Sequence, residues 1–386
     1  MADLFARAQR PELIDVGICW QVDRTEDRDC FVAWSEFERD ARVRQRFVHY
    51  SEATGPCLAR HWAQQLMPSS ADFYLQLDSH MRFVPHWDAV LRRYFARAAA
   101  VSAEPVLTAY PTGYELPNTL PSPDCAWTAL VPSEFSARDC MLRSKGRNVV
   151  SATVGTVNRC AVVAAGMLFC RASLVRSGVL AYDADLPELF FGEESLLAAR
   201  LFCAGADVFW PGAHIVYHLW SRAHRPNFRD LVDARKPILQ WASSVRVFRA
   251  LRMYFALPHA YATAPWASRR TEALSEVPER SQCDRAGAQR LLDALARECE
   301  TLASELPAIE AVRRALREPA SDEPLYASGV CVEQRRALDE YATLLGVDWS
   351  RGTVSQAAKD NGNASLFQEN ALAQLLAMVE ENTRRR

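Results

Sequence analysis

Phe73-Tyr74-Leu75-Gln76-Leu77-Asp78-Ser79-His80 is the stretch on which the fold class turns. An aromatic and aliphatic run of strand length breaks abruptly into three polar residues, as a buried strand does where it reaches a functional edge. Open α/β sheets bind ligands beyond the carboxyl ends of their strands, and Asp78, Ser79 and His80 fall there. In an extended chain the side chains at i and i+2 share a side, so Asp78 and His80 are expected to reach one ion. A carboxylate oxygen with an imidazole nitrogen suits a borderline divalent cation such as manganese, and calcium less well. Taken alone, Asp-x-His favours a plainer reading, in which Asp78 caps the next turn and His80 meets a backbone carbonyl.

Working outward, short apolar runs predict further strands at Leu13–Cys19, Arg46–His49, Pro105–Tyr110 and His214–Leu219. Helical spacing lies between them. One helix is predicted from Gly55 through Leu66 and another after Trp87, with Val90, Leu91, Tyr94 and Phe95 on one face. A third runs from about Glu194 to Cys203, where Gly205 supplies a stop. Alternating strands and helices predict an α/β domain over residues 1–256, with a mixed, mainly parallel sheet flanked by helices. Residues 112–160 read as a long surface excursion, and 257–284 as a linker. Residues 285–386 read as a small helical region, with helical spacing near 285–304, 307–317, 332–345 and 364–383.

The composition sets bounds. Of 386 residues 49% are apolar and 24% charged, with a net charge of −2, as in an ordinary globular protein. Interspersed charge gives no footprint for nucleic acid. The 11 cysteines are scattered without a CxxC pair, which favours buried thiols in a reducing compartment over disulfides or a zinc cluster. With no apolar run of signal or membrane length, the expectation is a cytoplasmic protein without a membrane span.

Two further groups raise the weight of Asp78 and His80. Gly192-Glu193-Glu194 opens a helix, where carboxylates favour the dipole. Adjacent helical residues diverge, so one of the two can cap while the other faces a cleft. In His214-Ile215-Val216-Tyr217-His218 the two histidines share a strand face, and His218 becomes a credible third ligand only in combination with Asp78 and His80.

These segments together resemble the GlcNAc-transferase family of retaining GT-A glycosyltransferases, which includes the hydroxyproline-modifying enzyme of the SCF ubiquitin-ligase adaptor. The resemblance is carried by Asp15-Val16-Gly17-Ile18-Cys19-Trp20-Gln21, by Ser51 through Arg60, and by Leu75 through Phe83. It continues in Leu107-Thr108-Ala109-Tyr110-Pro111, Phe190-Phe191-Gly192-Glu193-Glu194, His218-Leu219-Trp220-Ser221-Arg222, Arg336 through Tyr341, and Gly346-Val347-Asp348. Polypeptide GalNAc-transferases are more distantly similar.

The resemblance implies that Asp78, His80 and His218 hold a divalent cation, manganese first and magnesium second. It places Arg60 at the donor diphosphate or ribose, with Asp78 and Arg222 also on the donor side. Glu193 and Glu194 match the catalytic acidic pair, their separate roles open, while Arg222 and His224 match as structural support equally well. Asp183 resembles an aspartate of a Tyr-Asp-Pro segment, with Ala184 in place of the proline. The resemblance starts at the family's Asp-Leu-Phe-Ala-Arg-Ala stretch, so the family's first strand, expected at the nucleobase, is expected to be missing from this sequence, replaced by another element, or lost with weaker donor binding.

The implied activity is metal-dependent transfer of GlcNAc or a related hexose from a UDP-sugar to a protein or glycan hydroxyl, with retention of configuration. Acceptor selection is expected from residues 112–160 and the helical tail. Two alternatives stand beside it. One is a weakened or inactive relative serving as a binding or scaffold protein. The other is a metal-dependent hydrolase built on Asp78, His80, His214 and His218, disfavoured because no HExxH motif is present.

Overall fold

The computed structural model describes residues 1–27, 40–122, 125, 127–149, 155–221, 223, 230, 233–267, 277–279, 282–301, 308–317 and 332–361. In chain order the strands are β1 (Val16–Gln21), β2 (Val43–Val48), β3 (Phe73–Leu77), β4 (Met81–Phe83), β5 (Pro105–Thr108) and β6 (Thr112–Gly113). They continue as β7 (Trp127–Phe135), β8 (Leu142–Val149), β9 (Val157–Cys160), β10 (Met167–Arg171), β11 (Asp207–Pro211) and β12 (Val216–His218). The helices are α1 (Ala2–Arg7), α2 (Pro56–Gln64), α3 (Trp87–Ala99), α4 (Ala172–Arg176), α5 (Glu193–Cys203) and α6 (Lys236–Ala250). Beyond them come α7 (Leu257–Ala262), α8 (Arg285–Thr301), α9 (Ile309–Arg317) and α10 (Leu338–Leu345).

The central sheet has the order β3-β10-β5-β11-β9. β3, β5 and β11 run in one direction, because β3 and β5 both oppose β10 and β11 pairs with β5 in parallel. The α/β class and mixed sheet match the expectation, but most pairings in this sheet are antiparallel. Hydropathy does not encode this. A central strand covered on both sides is apolar whichever way it runs, and β10 buries Met167, Leu168, Phe169 and Cys170 in succession. β1 and β2 pair in parallel as a separate two-stranded unit.

A small sheet of β4, β12 and β6 stands at the end of β3. β12 opposes β4 with His218 across from Met81, and runs parallel to β6. α1 braces this corner: Asp3 accepts from the Phe83 amide at 2.7 Å, and the Leu4 carbonyl accepts from the Trp87 indole at 2.9 Å.

Residues 112–160 contain more structure than a surface excursion. β7 and β8 form a long hairpin, with a register shift between Pro132 and Glu134. Ala129, Val131, Met141 and Leu142 of this segment are buried. Its alternating apolar face was hidden in the sequence by the proline and by the charges on the opposite face.

The described segments beyond Leu257 pack into the main apolar cluster. α7 buries Leu257 and Ala260, and Trp266, only 1% exposed, packs on Trp241 with ring centroids 5.0 Å apart. Leu295 of α8, Val312 of α9 and Tyr341 of α10 belong to the same apolar cluster as Leu197 and Leu201 of α5. The predicted segment 364–383 lies outside the described residues. Among the described residues no helix is long and apolar enough to cross a membrane, and no disulfide is found.

Candidate active site

β3 ends at Leu77, and the Asp78 amide donates to the Gly166 carbonyl at 3.1 Å. The chain then turns. His80 has φ 69°, in the left-handed region, so Asp78 and His80 do not share a side through an extended backbone as the i, i+2 spacing predicted. Tertiary packing brings His80 next to His218 rather than to Asp78. The Leu219 amide donates to the His80 carbonyl at 3.2 Å, and the His80 and His218 rings lie 6.1 Å apart, tilted by 39°. His80 Nε2 is 3.2 Å from Ser79 Oγ, and His218 is buried against Trp220 with ring centroids 4.2 Å apart.

Arg60, on α2, ties the strand end to the start of α5. One guanidinium nitrogen donates to Asp78 Oδ1 at 2.9 Å, and the other donates to Glu193 Oε1. Its charge also lies over the Tyr182 ring, 5.3 Å from the centroid. Burial opposes that charge, but the negative groups around it, Glu193 foremost, outweigh burial and raise the Arg60 pKa. Asp78 presses its second oxygen against backbone: a Cβ added to Gly166 would lie 3.1 Å from Asp78 Oδ2. A glycine there lets the carboxylate sit directly on the β10 entry.

Glu193 and Glu194 diverge as adjacent helical residues should. Glu193 is buried, and its Oε2 accepts from Cys57 Sγ at 3.0 Å. Glu194 accepts from the Ala165 amide at 2.7 Å and is half-buried. Burial, with the neighbouring Glu193 charge, pushes the Glu194 carboxyl up to about 7. Burial and the Glu194 charge also raise the pKa of Tyr110, whose ring stacks on Trp220 at 4.5 Å. The Trp220 indole donates to the Pro111 carbonyl at 3.0 Å.

Of the other sequence candidates, His214 lies outside β12, its Nε2 donates to the Cys125 carbonyl at 2.9 Å, and its ring packs edge-on to Trp127. Asp183 is buried between Arg246, at 3.2 Å, and Arg200, at 3.9 Å, a structural setting. Arg222 and His224 lie outside the described residues. Among the described residues no three His, Cys, Asp or Glu side chains are gathered closely enough to hold a metal as they stand. Cys57, Tyr182 and Tyr110 are not identifiable as site residues from sequence, because nothing in an isolated Cys or Tyr announces a partner distant in the chain.

The family described as "Glycosyltransferase (GlcNAc)" matches residues 32–290. The chain belongs to this GlcNAc glycosyltransferase family. The matched span contains Arg60, Asp78, His80, Glu193, Glu194, His218 and Arg222, while Asp15–Gln21 and the closing segment 336–348 lie outside it. No curated protein matches the chain. Among solved structures it is similar to GalNAc-T7 with UDP, GalNAc and Mn2+, at 14% identity and a TM-score of 0.49. That match covers 71% of this chain and 49% of the other, so this chain spans about half the length of that relative.

Proposed function

We propose that this member of the GlcNAc glycosyltransferase family is a GT-A-like, metal-dependent transferase that moves GlcNAc or a related hexose from a UDP-sugar to a hydroxyl acceptor. The observation that carries the reading is the Arg60 bridge between Asp78 and Glu193 at the end of β3, two residues ahead of His80. A cation held between carboxylates beyond a strand end suits an anionic diphosphate, to which Arg60 can donate charge-assisted hydrogen bonds. Arg222 is proposed as a second donor-side cation.

The donor set Asp78, His80 and His218 fits a borderline divalent ion in chemistry, one oxygen with two imidazole nitrogens. Manganese is the first choice and magnesium the second. Asp78 Oδ1 is engaged by Arg60, which leaves Oδ2 as the oxygen to meet the ion. When bound, the ion supplies Lewis-acid neutralisation of the diphosphate. Glu193 keeps Arg60 oriented. Glu194, with its carboxyl near 7, can hold or release a proton at the acceptor side of the cleft. Attack from the leaving-group side, with retention of configuration, is the stereochemistry proposed. The acceptor is a protein or glycan hydroxyl, and the setting proposed is cytoplasmic, where the described cysteines would stay reduced.

The test is UDP-sugar turnover with manganese in wild type and Asp78→Asn. Loss of most turnover with retained folding supports the reading, and turnover near wild type removes Asp78 from the site. A second reading, a non-catalytic binding relative, draws on one observation: Asp78, His80 and His218 are not gathered around a common point. Manganese-independent UDP binding without turnover would favour it.

A further inference from the structure

Cys57 and Arg60 stand one turn apart on the same face of α2, and both reach the Glu193 carboxylate. Arg60 takes Oε1 and the Cys57 thiol donates to Oε2 at 3.0 Å. Cys57 is 1% exposed and Glu193 6%, so water does not substitute for either partner. A buried carboxylate is costly unless each oxygen is satisfied. Here the two oxygens are divided between a cation and a thiol, and that division aims the guanidinium so that its second nitrogen meets Asp78.

We propose that Cys57 is a positioning residue of the donor site: its S–H holds Glu193 in the rotamer that presents Arg60 to Asp78 and the diphosphate. The inference rests on the donor-site reading above and deepens it by separating the two acids. Glu193 is the internal strut, occupied on both oxygens, and Glu194 is the half-buried member left to face substrate. The thiol stays protonated and able to donate, because burial and the Glu193 charge raise its pKa well above the ordinary value. The remaining surroundings are consistent with a fixed strut. Tyr182 covers Arg60, and its own hydroxyl accepts from Gln76 Nε2 at 2.9 Å.

Two substitutions separate a hydrogen-bonding role from simple packing. Cys57→Ser keeps a donor of similar reach, whereas Cys57→Val keeps apolar volume and removes the donor. UDP titrated into the full chain with and without manganese is the readout, with thermal unfolding as the folding control. The expected result is about tenfold weaker UDP binding in manganese for Cys57→Val, and binding within about twofold of wild type for Cys57→Ser. The reverse order, or equal binding by both, overturns the proposal. If Cys57→Val does not fold, Cys57→Ala takes its place as the donor-free variant, judged by the same tenfold expectation. Wild type that binds no UDP overturns the donor-site reading and the proposal with it. Wild type that binds UDP as tightly as the donor-free variant overturns the proposal alone.

Discussion

Arg60 bridges Asp78 and Glu193, donating to Asp78 Oδ1 at 2.9 Å from one nitrogen and to Glu193 Oε1 from the other. Three elements distant in the chain, α2, the end of β3 and the start of α5, thereby meet at one guanidinium. Replacing it with alanine leaves Glu193 buried without its cation, a change that costs about 3–5 kcal/mol. Arg60→Ala is therefore expected to lower stability by that order in urea unfolding and to abolish UDP binding. Arg60→Lys should restore only part of both, since a single ammonium lacks the planar fork that spans two carboxylates. Unfolding of Arg60→Ala within 1 kcal/mol of wild type would show that the bridge stabilises little.

Glu194 makes one contribution to the pH dependence of stability that a single substitution can isolate. Its folded pKa of about 7 lies above the ordinary carboxylate value of 4.5. The native state therefore binds more protons than the unfolded state between these values, and stability falls as pH rises through the window. The loss is on the order of 3 kcal/mol once Glu194 is fully ionised. Glu194→Gln removes the titration, so its stability relative to wild type should increase from pH 4 to pH 8. Parallel stability–pH curves for the two proteins would contradict the assignment.

Metal removal is the next expected outcome. Manganese should tighten UDP binding by wild type, and excess EDTA should return it to the metal-free value. His80→Ala is expected to lose at least about tenfold of the manganese-dependent gain, about 1.4 kcal/mol. Calorimetric titration reads this directly. An undiminished gain in His80→Ala would exclude His80 as a ligand.

Gly192 sets the start of α5. Its φ is 102°, and a Cβ there would stand 2.7 Å from the Met141 sulfur on the β7–β8 hairpin. Gly192→Ala combines left-handed strain with this contact and should cost about 1–3 kcal/mol. It should also weaken UDP binding, since Glu193 is the next residue. An unchanged melting temperature would mean that the hairpin yields freely.

Tyr341 tests whether the C-terminal helices belong to the core. It is 2% exposed, and its hydroxyl donates to the Ala161 carbonyl at 2.9 Å. Tyr341→Ala is expected to cost about 3–5 kcal/mol in a single cooperative transition monitored by circular dichroism. A separate low-temperature transition with the remainder intact would instead mark an independent appendage.

Much of the architecture was legible in the sequence because it depends on local pattern. The apolar run Phe73–Leu77, the stripe Leu91, Tyr94 and Phe95, and Gly192 before Glu193 each report an element through its own periodicity or its end residue. The motif order from Arg60 to His218 also points to the family without any geometry. The antiparallel insertion of β10 was not legible, since burial makes a strand apolar in either direction. Nor was the hairpin across 127–149, where Pro132 and the exposed charges interrupt the apolar alternation.

For the Asp78–His80 pair, sequence alone determined the residue types and their place at the end of a buried strand. Tertiary structure decided what each touches. The left-handed turn at His80 breaks the extended spacing, β12 brings His218 beside His80, and Arg60 claims one oxygen of Asp78. The division of Glu193 between Arg60 and Cys57 lies wholly at this level. Local propensity is a property of neighbouring residues, whereas a buried charge finds its partners only when distant elements close around it.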